Sequence, residues 1–270
     1  MSGGARGAAW KPPRKVGVAL SERDAPVVAL AVSSDGHYGA LVRRDGWVEQ
    51  IDLESGAVVV EGWHRGAVAL ALSPSALVTV DAEEAGWWTR RGDAPDGRVR
   101  HGLCGVAGAA SVDLGAHVLV WSGTAWASWR ALTRRPVGGG SLMGTTAAAL
   151  GHAWVCDGAT VARVTGSGRA EAVWTATRGA IAARAWLQDD TGAWTVDGRT
   201  VDGPPLDASV TPGVDVLWSL VGGVLTRWSS AGPLPLGDGI TAVAAHPSDR
   251  YALAVDACGA VRLLDAGVLA

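Results

Sequence analysis

The sequence predicts an all-β chain closed into a seven-bladed β-propeller. Two observations carry that expectation. Short apolar runs alternate with Gly-, Pro-, Ser- and Asp-rich turns from residue 26 to residue 265, with no long amphipathic helical pattern among them. The runs also recur in units, the third run of each starting near Trp47, Trp87, Trp126, Thr160, Trp194, Val224 and Val261, a spacing of 30–40 residues. One four-stranded sheet cannot bury both faces alone, but a closed ring of such sheets can. Seven units fill the length; six or eight are the alternatives if a weak unit is miscounted.

Unit one is the most complete. VVALAV (27–32) turns at Ser33-Ser34-Asp35-Gly36, HYGALVRR (37–44) returns, Asp45-Gly46 forms a hairpin turn, WVEQIDL (47–53) follows, and Ser55-Gly56 leads into AVVVEGW (57–63). Unit two reads AVALAL (67–72), ALVTVD (76–81) and Gly86 to Thr89. Unit three holds 106–121 and 125–132, unit four 145–158 and 159–164, unit five 180–192 and 193–198, and unit six 214–223 and 224–228. Unit seven, Ile240 to Asp265, has three strands and would leave its outer edge unpaired. Lys15 to Leu20 is a strand with no local partner, and pairing it beside Val261 to Asp265 closes the ring. Residues 1–14 are expected to be a flexible tail and 15–270 a single domain.

Composition narrows the function classes. The chain has 270 residues, net charge −3 and only 18% charged residues, so no basic field argues for nucleic acid. No run reaches the length of a membrane span, and the first 20 residues lack an apolar signal core, so a cytoplasmic protein is expected. Three cysteines far apart make no disulfide framework and read as small buried apolar residues. Phe and Asn are absent, only two of the 23 basic residues are Lys, and 14 Trp take the large aromatic role. That bias points to a GC-rich, bacterial genome.

Several stretches carry a partial signature. Gly46-Trp47-Val48-Glu49-Gln50-Ile51-Asp52 and Gly259-Ala260-Val261-Arg262-Leu263-Leu264-Asp265 follow a third-strand pattern of small-x-apolar-x-x-Trp-Asp, with Ile51 and Leu264 in the Trp place. Ala125 to Trp129 and Val224 to Trp228 keep the Trp and lose the Asp. His64-Arg65-Gly66-Ala67-Val68 fits a His-x-x-x-Val spacing. With these residues the chain resembles the WD-repeat β-propeller family over about 250 residues, closely only in units one, two and seven. The resemblance implies that Thr79 and Asp81 continue from His64 into that family's internal hydrogen-bond network, and that the protein binds other proteins.

Candidate site residues are weighed against structural roles. Trp47, Trp87, Trp88, Trp126, Trp129, Trp194 and Trp228 lie in inner strands and read as core rather than as sugar-stacking platforms. Trp63, Trp121 and Trp218 sit nearer strand ends and keep more functional weight. The six histidines show no metal-ligand spacing, so no metal or cofactor is expected. Asp189-Asp190-Thr191-Gly192 is too short for a calcium loop and reads as a turn. Gly138-Gly139-Gly140 lacks the Lys-Ser/Thr of a phosphate cradle and reads as a linker. In a propeller the turns between second and third strands share one face with the connections between blades. That face would carry Arg43, Arg44, Trp63, His64, Arg65, Glu83, Glu84, Arg100, His101 and Arg178, a mixed Trp and Arg rim suited to a protein partner.

These readings converge on a non-enzymatic interaction scaffold, monomeric until it joins a hetero-complex. The resemblance extends to bacterial propellers acting beside AAA-type ATPases and von Willebrand A-type proteins. The alternatives are a lectin or small-ligand binder using exposed Trp, and a hydrolase or lyase with a site in the central channel. Unlike loops in each unit weigh against the first, and the Ala- and Val-rich first strands against the second.

Overall fold

The computed structural model describes residues 15–88, 92–141, 144–181 and 184–267. Each turn-and-run unit folds as a four-stranded antiparallel sheet in which sequence neighbours pair. The first strand is β1 (Ala19–Ser21). Blade 1 is β2 (Val27–Val32), β3 (Tyr38–Arg43), β4 (Trp47–Asp52) and β5 (Ala57–Trp63). Blade 2 is β6 (Ala69–Leu72), β7 (Leu77–Val80), β8 (Glu84–Trp88) and β9 (Gly97–Arg100). Blade 3 is β10 (Gly108–Val112), β11 (His117–Trp121), β12 (Ala125–Arg130) and β13 (Pro136–Ser141), with a single 3-10 turn at Asp113–Gly115. Blade 4 is β14 (Thr145–Ala149), β15 (His152–Cys156), β16 (Thr160–Val164) and β17 (Ala170–Thr175). Blade 5 is β18 (Arg178–Ile181), β19 (Ala185–Gln188), β20 (Trp194–Val196) and β21 (Arg199–Val201). Blade 6 is β22 (Ser209–Pro212), β23 (Leu217–Val221), β24 (Val224–Ser229) and β25 (Gly232–Gly237). Blade 7 is β26 (Ile240–Ala245), β27 (Tyr251–Asp256) and β28 (Val261–Asp265), completed by β1.

The seven first strands contact one another in a closed circuit, with β26 meeting β2. Closure takes the expected form: β1 pairs antiparallel with β28, Ala19 opposite Arg262 and Ser21 opposite Val261. The strand is shorter than the expected Lys15–Leu20 because Gly17 takes a left-handed φ of 73°, although its N–H still reaches the Leu263 carbonyl at 2.9 Å. The tail expected at residues 1–14 lies outside the described residues.

Other expectations are corrected. Gly138-Gly139-Gly140 is no linker but the middle of β13. The indole of Trp126 lies against it and against Gly168 of blade 4, where a Cβ would come within 2.0 Å of the ring. In blade 6 the first strand is β22, so the apolar stretch from Val214 supplies only the turn and β23; in blade 5 the first strand starts at Arg178 rather than at Ala180. Cys104 and Cys258 are exposed and only Cys156 is partly buried, because the first two sit in surface loops.

Packing occurs between blades. Leu41, Ile51, Leu53, Leu253 and Leu263 fill the joint of blades 7 and 1, an aliphatic layer with Tyr251 as its aromatic member. Trp88 joins blades 1 and 2, Trp87 and Trp129 blades 2 and 3, and Trp121 and Trp126 blades 3 and 4. Trp154, Trp186 and Trp194 fill the layer through blades 4 to 6, and Trp218 that of blades 6 and 7. In a chain without Phe, Trp fills most of these wedge-shaped gaps. Trp121 (8% exposed) and Trp218 (0%) are therefore core, contrary to the functional weight given to them from sequence, whereas Trp63 is 43% exposed.

The central channel is lined by Leu30, Val32, Leu70, Leu72, Ala109, Ala148 and Ala244 among others, and encloses about 150 Å³. Its lower end is narrowed by the turn Leu150-Gly151 of blade 4. A Cβ on Gly151 would come within 3.1 Å of Leu114 in blade 3 and 3.3 Å of Ser34 in blade 1, across the ring.

Candidate functional site

The face opposite that narrowed end, called upper here, carries the turns between second and third strands and the connections between blades. These segments dock on one another through the backbone: His64 donates to the Gly46 carbonyl (2.9 Å), His101 to Glu83 (3.1 Å), Ala176 to Ala159 (3.1 Å) and Ile240 to Gly223 (2.9 Å). Buried N–H and C=O groups need such partners, so the loops form a fixed platform rather than a loose fringe.

Of the ten residues expected on this face, nine gather around blades 1 and 2 and their connections. Three of the nine point inward. Arg43 is fully buried, and its guanidinium donates to the carbonyls of Arg23 (3.0 Å), Ala25 (2.7 Å) and Gly259 (3.1 Å) and to Ser21 Oγ (2.8 Å). Ser21 Oγ in turn donates to the Glu49 carboxylate. Arg43 thus ties the closing strand, the connection into blade 1 and the blade 7 turn together. Burial lowers its pKa, with Glu49 and Asp45 pulling the other way.

His64 is also fully buried. Its Nδ1 lies 2.6 Å from Thr79 Oγ1 and its Nε2 2.9 Å from Asp81 Oδ2, while Trp88 Nε1 donates to Thr79 Oγ1 at 2.8 Å. Burial lowers the His64 pKa despite the Asp81 hydrogen bond, so the ring is neutral. Burial pushes Asp81 up, but the N–H groups of Glu83 and Glu84 and the His64 hydrogen bond outweigh it, so the carboxylate is ionised. The proton order follows: Trp88 donates to Thr79, Thr79 to Nδ1, and Nε2–H to Asp81. Thr79 and Asp81 occupy the roles expected for them, and Trp88 completes the relay. His101 is buried beside it, with Nε2 3.1 Å from the Asp81 carbonyl and Nδ1 accepting from Leu103 N–H at 3.1 Å.

Six of the nine reach solvent. Arg44, Arg65, Glu83 and Arg100 are exposed, and Glu84 is half-buried between Arg98 (3.6 Å) and Arg100 (3.9 Å). Trp63 meets Trp47 edge to face at 5.0 Å, and the Arg23 guanidinium lies 4.0 Å from the Trp47 ring and 5.2 Å from the Trp63 ring. Arg23 was not singled out from the sequence; its place in the connection from the closing strand into blade 1 was the signal for it. Arg178, the tenth residue, lies away from this sector in blade 5, donating to the carbonyls of Leu206 (2.7 Å) and Ala208.

No family model matches the sequence, and no curated protein does. Solved structures do match. The structure of U3-55K aligns with a TM-score of 0.63 at 14% identity, over 91% of this chain and 93% of that one. The RRP9 WD40 repeats align with the same score and identity, over 91% of each chain. The fold that this chain shares with them is the β-propeller. Kuenenia stuttgartiensis hydrazine synthase (TM-score 0.60, 12% identity, 91% and 97% covered) and BamB from Moraxella catarrhalis (0.53, 14%, 88% and 82%) show how widely this ring is used.

Within this ring, the buried relay of blade 2 holds a loop to its sheet and is spent on structure. Blade 6 keeps half of it, Trp228 Nε1 donating to Ser219 Oγ at 2.8 Å. Blades 1 and 7 replace the Trp by Ile51 and Leu264, and the Thr by Leu41 and Ala254 at the matching register positions. Among the described residues no three His, Cys, Asp or Glu side chains converge as a metal site, and no helix is long and apolar enough to cross a membrane.

Proposed function

We propose that this protein is a non-enzymatic interaction scaffold, a cytoplasmic subunit of a bacterial multi-protein complex that uses its upper face to hold another protein. The observation that carries the reading is the contrast within that face. Arg43, His64 and Arg178 are consumed in fixing the loops, while Trp63, Arg44, Arg65 and Arg100 are left to solvent on the rigid platform they create. Rigid presentation of Trp and Arg lowers the entropy cost of binding and is how interface hot spots are built. The WD40-type fold, whose members mostly bind proteins, supports it, as does the aliphatic lining of the channel. An AAA-type ATPase and a von Willebrand A-type protein are the partners that the sequence resemblance favours.

The test is purification of the tagged chain from its own host after mild cross-linking. A reproducible, stoichiometric partner lost on Trp63→Ala with Arg65→Ala is the expected outcome. A chain that is always recovered alone, or a partner indifferent to those changes, would overturn the reading.

A further inference from the structure

The net charge of −3 conceals a segregation around the ring. The upper loops of blades 4 to 6 and the connection into blade 7 carry Asp157, Asp189, Asp190, Asp202, Asp207 and Asp238, all exposed and none ion-paired with a described residue. Of the bases of blades 4 and 5, Arg169, Arg184 and Arg199 sit in or beside turns of the opposite face and Arg163 lies in mid-strand; Arg178 alone stays on the upper face, donating to the Leu206 carbonyl and feeling the Asp207 charge. Asp157 is held by the N–H groups of Ala159 (2.9 Å) and Thr160 (2.6 Å). Asp189 is held similarly by Thr191 and Ala193, both at 2.9 Å, so the turns present fixed negative charge.

Bordered by Asp157, the first aspartate of this acidic arc, lies a funnel of about 860 Å³. It leads down onto the first strands of blades 4, 5 and 6 through Ala147, Gly179 and Val210, above the channel. Trp154 is part of its lining, Gly123, Gly144 and Gly158 widen it, and Leu206, 68% exposed, and Asp157 also border it. Its polar groups are largely spent: Arg178 on carbonyls, Cys156 Sγ on the Thr177 carbonyl at 3.1 Å, Asp157 on its own turn. What is left open is apolar wall, with Asp157 on its rim, Asp207 next to the bordering Leu206, and Arg178 tied to carbonyls and facing Asp207.

We propose that this funnel takes an extended segment of a protein partner, a bulky apolar side chain seated among Trp154, Leu206 and Val210 and flanked by Arg or Lys residues that meet the acidic arc. The apolar walls select the anchor, and the carboxylates select the flanking charge and speed the encounter. This rests on the scaffold reading and names the chemistry of the segment held.

The probe is a synthetic nonapeptide with a central leucine and four flanking arginines, titrated into the full chain and followed by the indole N–H resonances. Counterparts carry glutamates in place of arginines, or glycine in place of leucine. The arginine–leucine peptide is expected to bind, to shift the Trp154 resonance, and to weaken as salt rises. Binding should fall about tenfold in D157N with D207N and about tenfold again for the glycine peptide. G123W should also block it, since a side chain there meets open space and the residue has no left-handed backbone. D35N, on the opposite face, should change nothing. Binding that is equal in D157N/D207N and G123W, or absent at low salt, would overturn the proposal. The host purification separates the two ideas. Partners recovered equally with wild type and D157N/D207N leave the scaffold and sink the funnel; a solitary chain that binds the peptide does the reverse.

Discussion

Replacing Arg43 by Met should loosen the ring at its joint and leave the rest of the fold standing. The guanidinium makes four hydrogen bonds, to three carbonyls and Ser21 Oγ, and Ser21 Oγ in turn donates to the Glu49 carboxylate, which is 8% exposed. Met fills the stem's volume but strands the three acceptors and leaves Glu49 without the nearby cation. Removing one partner of a buried charge cluster costs about 3–5 kcal/mol. At roughly 2–4 °C per kcal/mol for a chain of this size, that is a fall of about 6–20 °C in Tm. Equilibrium denaturation gives the magnitude and hydrogen exchange the location. Amides of residues 17–21 and 261–265 should lose protection before those of blade 4. Arg43→Lys, which keeps the charge but not the fork of donors, should fall between. A loss under about 1 kcal/mol, or protection lost evenly around the ring, would refute the clamp.

Deleting residues 1–20 should lower the denaturation midpoint more than Arg43→Met does, because it exposes the β28 edge as well as removing Leu20 and Val16 from the joint; a truncated chain that melts like the full one would show the ring does not depend on β1. Thr79→Val should cost about 1–2 kcal/mol by stranding the Trp88 indole and His64, and the cycle with Trp88→Phe should show a coupling of about 1 kcal/mol in chemical denaturation. The pH dependence of stability should trace largely to His246, which lies between the lower turns of blades 7 and 1 with Nε2 3.1 Å from the Gly36 carbonyl. Burial pushes its pKa down to about 4, with His37 lowering it further and Gly36 and Asp35 opposing. The unfolded chain then binds the proton first, so its contribution is complete above pH 6.5 and lost as pH falls toward 4. The loss at pH 5 is about 2 kcal/mol, and His246→Gln should flatten denaturation midpoints measured between pH 7.5 and 5.

How far the sequence could be read depended on whether a residue's role was local. Turn chemistry is local: Asp45-Gly46 and Ser55-Gly56 announce blade 1, and its four strands fall where the apolar runs are. The outer strands of blades 2 to 6 were not legible, because they pair on one side only and face water. β13 is wholly exposed, and its sequence, PVGGGS, has neither alternation nor an apolar run. Its glycines mean something only once Trp126 is seen lying on them, a contact set by the hairpin and by Gly168 of the next blade. Blade 6 was misframed for a related reason, since Val214 and Val216 look like strand but flank a turn fixed from another blade. The Asp249 carboxylate accepts from the Val214 and Asp215 N–H groups, 2.6 and 2.5 Å away.

The same distinction explains the candidate site. The right face could be named from connectivity alone, since loops at one end of every sheet must share a side. Which of its charged residues face water could not, because Arg43 and Arg44 are neighbours in sequence with opposite fates. Strand alternation sends Arg43 into the joint of blades 7 and 1, where three carbonyls 216, 20 and 18 residues away await a donor, and leaves Arg44 outside. The acidic arc is invisible for the converse reason. Its six aspartates are spread from residue 157 to residue 238, interleaved with arginines of which the turns send Arg169, Arg184 and Arg199 to the opposite face. A near-neutral composition thus becomes a polarised surface by topology, and the charge that could recruit a basic partner segment is a property of the ring rather than of any stretch of chain.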